Sequence, residues 1–255
     1  MLKASPQTIA ALGYLDDQPW YHHVYGIVSP KVSPAARKSV SLKQIIGNKN
    51  RGDISMKEKY GSHSILFATT DSSRRVLALK MALAVLQLHN TPWLDSAWDT
   101  DDIQFITDSS GSAPSLFEPS YVSRSFDPHA PSRSVCSSVK STGRLLAKNS
   151  LIFALGVALI ELSYGEPLLA RALPSELDAQ GNETPHTEIL IATRLVKHIR
   201  NRELDNYAWA TARCVECDLG YPFDYSLDDD TFRTKFLEGV VGPLKDDYDE
   251  IFRSK

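Results

Sequence analysis

The sequence predicts a mainly α, single helical domain with a few short strands, and three observations predict it. Asn149 to Pro167, NSLIFALGVALIELSYGEP, is the most apolar run in the chain. Its segment Leu151 to Leu162 carries one charge, Glu161, so the helix it forms is hydrophobic around nearly its whole circumference and belongs in the interior. Asp71 to Asn90 repeats the pattern, with Val76, Leu77, Leu79, Met81, Leu83, Val85, Leu86 and Leu88 leaving only Ser73, Lys80 and Gln87 as a polar stripe. Thr187 to Arg202 is amphipathic, with Ile191, Leu195, Val196 and Ile199 on the side that covers the apolar helix.

Taken in order, residues 1–38 form an N-terminal extension and 39–255 the helical domain. The extension opens with a short helix around Ile9 to Leu12. It continues as a strand from Trp20 to Val28, where Tyr21, His23, Tyr25 and Ile27 alternate with the other face. Two prolines and small polar residues make Ser29 to Lys38 a loop. Ser41 and Gln44 stand in capping-box spacing and open a short helix that Gly47 closes, and Asn48 to Ser64 is polar and turn-rich. Asp71 suits the N-cap of the next helix, which Asn90 and Pro92 end.

A carboxylate cluster with Trp93 and Trp98 then leads into a strand at Ile103 to Thr107, and the serine-rich stretch from Ser109 to Ser141 is a long loop. Asn149 or Ser150 caps the hub helix, and Gly165 and Pro167 stop it. The apolar run is too short for a membrane span, which takes roughly 20 residues. Leu169 to Pro185 is a connection. Asp205 or Asn206 caps a helix running through Cys214, and Asp228 to Asp230 precede one from Phe232 to Val241, which Pro243 breaks or kinks before Leu244 to Phe252.

Composition limits the function classes. With 42% apolar and 23% charged residues the chain is of ordinary globular make-up. At 255 residues it is long enough to bury about 70–75% of its unfolded surface. A net charge of −3 without a basic stripe argues against nucleic acid as the main partner. Three cysteines, and no apolar segment of the secretory type in MLKASPQTIAALGYLDDQ, fit reduced thiols in a cytosolic or nuclear setting, of which the cytoplasmic one is expected.

The order of the pieces resembles the C-lobe of a protein kinase: the Ser41 to Ile46 helix, the long helix ending in Leu88-His89, a loop, a short strand, a variable segment, then a buried G-V-x-L-x-E-L helix. LQLHNTPWL, the second tryptophan at 98, DIQF and LGVALIELSYGEPL together resemble a fungal family of unknown function, a degenerate kinase-like domain often found downstream of prion-type or cell-death (HeLo-like) modules. The likeness spans about residues 20–252.

The resemblance is informative through what is missing. Counted from Leu88-His89, the kinase H-R-D falls on Asp95, Ser96 and Ala97, so a methyl group replaces the carboxylate that accepts the substrate proton. The metal-binding asparagine falls on Asp102, and Ile106 to Gly111, with Asp108, makes an imperfect D-F-G. The aspartate that kinases bury at the start of the hub helix falls on Leu151. No Gly-rich loop or V-A-I-K lysine is present, and too few residues precede Ser41 for an N-lobe. The resemblance therefore implies a domain that is not an enzyme, holds no cofactor and no metal, and acts as an interaction or signalling module with a protein partner; the alternatives are a cryptic nucleotide- or metal-dependent enzyme and a zinc-binding structural module.

Other chemistries are weaker on the residues. Asp95, Asp99, Asp101, Asp102 and Asp108 supply oxygens of the kind a hard cation takes, but without EF-hand spacing they read more simply as a solvated acidic loop. Cys214 and Cys217 have the spacing of half a zinc site, yet lack a second pair; lining a helix face is the simpler role. His22 and His23, adjacent on a strand, point to opposite faces. Trp93 and Trp98 fit either a partner surface or a lock of the loop onto the core. Ser134, after Arg133, is a candidate phosphorylation site in a surface loop.

Overall fold

The computed structural model describes residues 11–17, 20–25, 38–47, 71–95, 97–107, 120–123, 143–144, 146–220 and 225–253. The chain divides into two units, Met1–Arg37 and Lys38–Lys255. In the first, β1 (Ala11–Asp17) pairs antiparallel with β2 (Trp20–Tyr25), Asp17 opposite Trp20. Ala11 and Leu12, expected at the end of a short helix, stand in a strand instead, while Ile9 and Ala10 lie outside the described residues. The alternation of Trp20 to Tyr25 supplies a partner ladder, and pairing overrides a weak local helix preference.

The second unit is mainly helical. Lys38, expected in a loop, begins β3 (Lys38–Ser41), which pairs antiparallel with β4 (Ile103–Thr107). That strand in turn pairs with β5 (Ser120–Val122), a segment lying inside the expected serine-rich loop. Strands β3 and β5 are too short to show a period of their own, and the sheet is specified by the face it buries. Val40, Ile103 and Phe105 are in the core, while Ile106 and Tyr121 are exposed. The capping box is present. Gln44 N donates to Ser41 Oγ at 3.2 Å and Ser41 N to Gln44 Oε1 at 3.3 Å, opening α1 (Leu42–Gly47).

Helix α2 (Asp71–Leu88) begins with Asp71, which lies inside the first turn and pairs there with Arg74. Of the expected polar stripe, Gln87 is exposed and Lys80 half-buried, but Ser73 is buried; the C-terminal helix α7 (Gly242–Arg253) packs along α2.

The hub is α3 (Ser150–Tyr164), buried at every residue from Ile152 to Tyr164. Asn149 is its N-cap, with Oδ1 accepting from Ile152 N at 2.9 Å and Nδ2 donating to Tyr225 O at 2.6 Å. Gly165, at φ 68°, ends it in the left-handed conformation that glycine adopts without a Cβ clash. Around it pack α2, α4 (Thr187–Val196) and α5 (Asp205–Glu216). The α5 contact is the closest, since a Cβ on Gly156 would stand 2.9 Å from Val215 N and 2.8 Å from its Cγ2. Tyr207 Oη donates to the Leu159 carbonyl at 2.8 Å across the same seam.

Neither Asp205 nor Asn206 caps α5. The N-cap is Leu204, which gives no side-chain cap bond, and Asn206 instead donates its Nδ2 to Asp247 of α7 at 2.9 Å. Helix α6 (Asp230–Phe236) is capped by Asp229, which accepts from Phe232 N at 2.7 Å. It ends earlier than expected because Leu237–Val241 form a π-helical turn before α7. Pro243 has no N–H to give to the Gly239 carbonyl, and Arg213 Nη1 donates to it instead at 2.8 Å. Among the described residues no helix is long and apolar enough to cross a membrane.

Candidate functional site

Two places carry polar chemistry worth testing for function, and the first is the acidic turn between α2 and β4. Its carboxylates fold back on their own backbone. Asp95 accepts from Ala97 N at 2.8 Å, Asp99 from Asp101 N at 2.7 Å, and Asp102 from Asp99 N at 3.0 Å. Lys43 reaches Asp99 at 3.6 Å. These are the bonds of a turn builder, and among the described residues no group of three or more ligating side chains gathers. Asp108 and Ser134 lie outside the described residues.

Behind the turn, Glu161 holds the hub to its surroundings. One carboxylate oxygen accepts from Thr100 Oγ1 at 2.7 Å and the other from Leu168 N at 2.9 Å. Trp98 is buried and its indole donates to the Leu151 carbonyl at 3.3 Å, so this tryptophan locks the loop onto the core. Arg144, only 3% exposed, forks onto Glu188 of α4 with Nε–Oε2 at 2.8 Å and Nη2–Oε1 at 2.7 Å, and its Nη1 donates to the Trp98 carbonyl. Burial opposes the Arg144 charge, but Glu188, with Asp99 and Glu161 beyond, outweighs it and holds the guanidinium above its ordinary value.

The sequence reading missed Arg144 and Glu188. They stand 44 residues apart, and neither sits in a motif. The surrounding cavity, lined by Lys43, Asp99, Arg144, Glu161 and Glu188, is about 60 Å³. Ligand pockets run to roughly 300–1,000 Å³, and this one has room for about two waters.

Cys214 and Cys217 are buried beside the hub, Cys217 in the left-handed conformation at the end of α5 with φ 49°. Burial pushes both thiols up, Cys217 to about 11. The thiolate is the reactive form, so neither cysteine should be alkylated by iodoacetamide at about pH 8 in the native chain, and both should react in denaturant. Mass mapping checks this. The Cys214→Ala/Cys217→Ala chain is expected to stay folded and the purified wild type to carry no zinc. Rapid native alkylation, or elemental analysis giving one zinc per chain, would contradict the packing role. His22 and His23 stand opposite Leu15 and Tyr14 in the β1–β2 hairpin.

The second place was not legible beforehand. Trp209, on α5, is 48% exposed. The guanidinium carbons of Arg200 and Arg213 each lie 5.4 Å from its ring centroid. The ring stands in an open groove shared with Lys197, Glu216 and Asp218. A single tryptophan in a polar helix face gives no periodic signal, and Arg200 comes from the turn Ile199–Asn201.

A family model described as Domain of unknown function (DUF7580) matches residues 14–251. No curated protein and no solved structure matches the chain.

Proposed function

We infer a function from one premise: the chain belongs to the family described as Domain of unknown function (DUF7580). Within it, we propose, the chain serves as a non-catalytic protein-interaction or signalling module on a degenerate, kinase C-lobe-like layout. It works in a fungal cytoplasm beside prion-type or cell-death (HeLo-like) modules. The observation that carries the non-catalytic part is the self-contained acidic turn. The resemblance assigns the general base to Ala97, and this residue spends its backbone N–H on Asp95 instead. Asp102, at the place of a metal-binding asparagine, accepts from Asp99 N. Phosphoryl transfer rests on positioned charge. A turn whose carboxylates are held by its own backbone, over a cavity of about 60 Å³, supplies little of it.

The test is a melting curve with millimolar Mg-ATP, read beside a phosphoryl-transfer assay. A ligand binding only the folded state at 100 times its Kd adds about 2.7 kcal/mol. Superimposed curves and no transfer are expected. An upward shift that disappears in Asp102→Ala would replace this reading with a nucleotide site.

A further inference from the structure

The Trp209 groove has a charge pattern that selects a partner. Trp209, Arg213 and Glu216 follow one another at helical spacing along one face of α5, so seven residues at 1.5 Å rise separate the indole from the carboxylate by about 10 Å. Arg200, exposed like Lys197, stacks at the tryptophan end, and Asp218 joins Glu216 at the other. Arg213 holds the middle, anchored on the Gly239 carbonyl. The two guanidiniums lie over the ring, which stands half out of the protein and so presents an aromatic surface flanked by fixed cations. Cations at one end and carboxylates at the other disfavour a polyanion such as nucleic acid, and equally an anionic membrane surface. Each would meet Glu216 and Asp218.

We propose that this groove docks a segment of a partner protein that lays an apolar side chain on Trp209, a carboxylate against Arg200 and Lys197, and a basic side chain about 10 Å further along, against Glu216 and Asp218. The inference deepens the interaction-module reading and rests on it. The energetic centre is Trp209, since tryptophan and arginine anchors at a water-excluded centre dominate interfaces while rim charges set orientation.

The probe is a random peptide library displayed on phage and panned against the full chain, the enriched sequences then being made synthetically. Enrichment of an acid, an apolar or aromatic residue and a base in that spatial order is expected. Trp209→Ala should weaken binding about tenfold or more. Arg200→Glu, at an exposed position that leaves the fold intact, should weaken it as well, and exchanging the peptide's carboxylate for lysine should restore it. Unchanged melting of both variants shows that they are folded. Enriched peptides indifferent to Trp209→Ala, or a charge exchange that fails to rescue Arg200→Glu, overturn the proposal. So does Trp209-dependent binding of a single-stranded oligonucleotide or of phosphatidylserine vesicles in their place. A Mg-ATP shift alongside intact peptide binding would overturn only the non-catalytic reading, whereas no shift and no Trp209-dependent peptide would overturn only the groove.

Discussion

A Gly156→Phe chain is expected to lose its cooperative thermal transition altogether, and Gly156→Ala to lose part of its stability. The position is buried in the middle of α3, and a Cβ there would stand 2.9 Å from the backbone nitrogen of Val215 and 3.1 Å from Cys214 Cβ. Real Cβ atoms do not approach backbone so closely, and a nitrogen fixed in α5 cannot rotate away as a side-chain tip can. The alanine methyl must therefore push α5 off the hub, straining the Tyr207 bond to Leu159 on the same seam. Overpacking of this kind costs typically about 1–3 kcal/mol per site, and more as volume grows. Helix propensity acts in the opposite direction, since alanine is favoured over glycine by about 1 kcal/mol in a helix interior. A Gly156→Ala midpoint in urea equal to or above wild type would mean that the seam has slack and that α5 does not lie where it is described.

Arg144→Ala should be the most damaging polar substitution. It leaves Glu188 charged in a buried setting and the Trp98 carbonyl without its guanidinium donor. Breaking such a pair from one side costs about 3–5 kcal/mol. Replacing both partners, as in Arg144→Met/Glu188→Leu, removes the orphaned charge, so the double variant should be more stable than the single one. The pair lies out of solvent, so added salt should change little. Urea midpoints of the two variants at low and high salt measure this. Equal midpoints, or a loss that salt abolishes, would show the pair to be a surface ornament.

What could be read from the residues follows the range of the interactions involved. The hub, its Asn149 cap, the Gly165 stop and the Ser41–Gln44 box are local, each settled within a few residues, and all are present. The strand β4 was legible because Ile103 and Phe105 alternate with Gln104 and Ile106. Its neighbours were not, because β3 and β5 are strands only by virtue of pairing with it. The same holds at the candidate sites. Asp95, Asp99 and Asp102 announce themselves as a cluster, and it takes coordinates to see their oxygens turned onto their own backbone. Glu161 was visible as the lone charge in an apolar helix, while its partners Thr100 and Leu168 N were not. Trp209 and Arg213 stand four apart on α5, but Arg144 with Glu188 and Arg200 with Trp209 join residues from separate elements. No spacing rule connects such residues.

The bond from Asn206 of α5 to Asp247 of α7 bears on the order in which the protein is made. Helix α5 forms the closest seam with the hub, yet the carboxylate that Asn206 in its first turn bonds to arrives with the last helix of the unit. On a chain emerging from the ribosome, α3, α4 and α5 are all exposed before Asp247 exists. Through that interval Asn206 in the first turn of α5 is without its Asp247 partner, and the apolar circumference of α3 lacks its settled neighbour. The unit therefore closes from its end, with the C-terminal helix acting as a clasp rather than an appendage. A chaperone that shields apolar helices would find its opening during synthesis, before the clasp arrives.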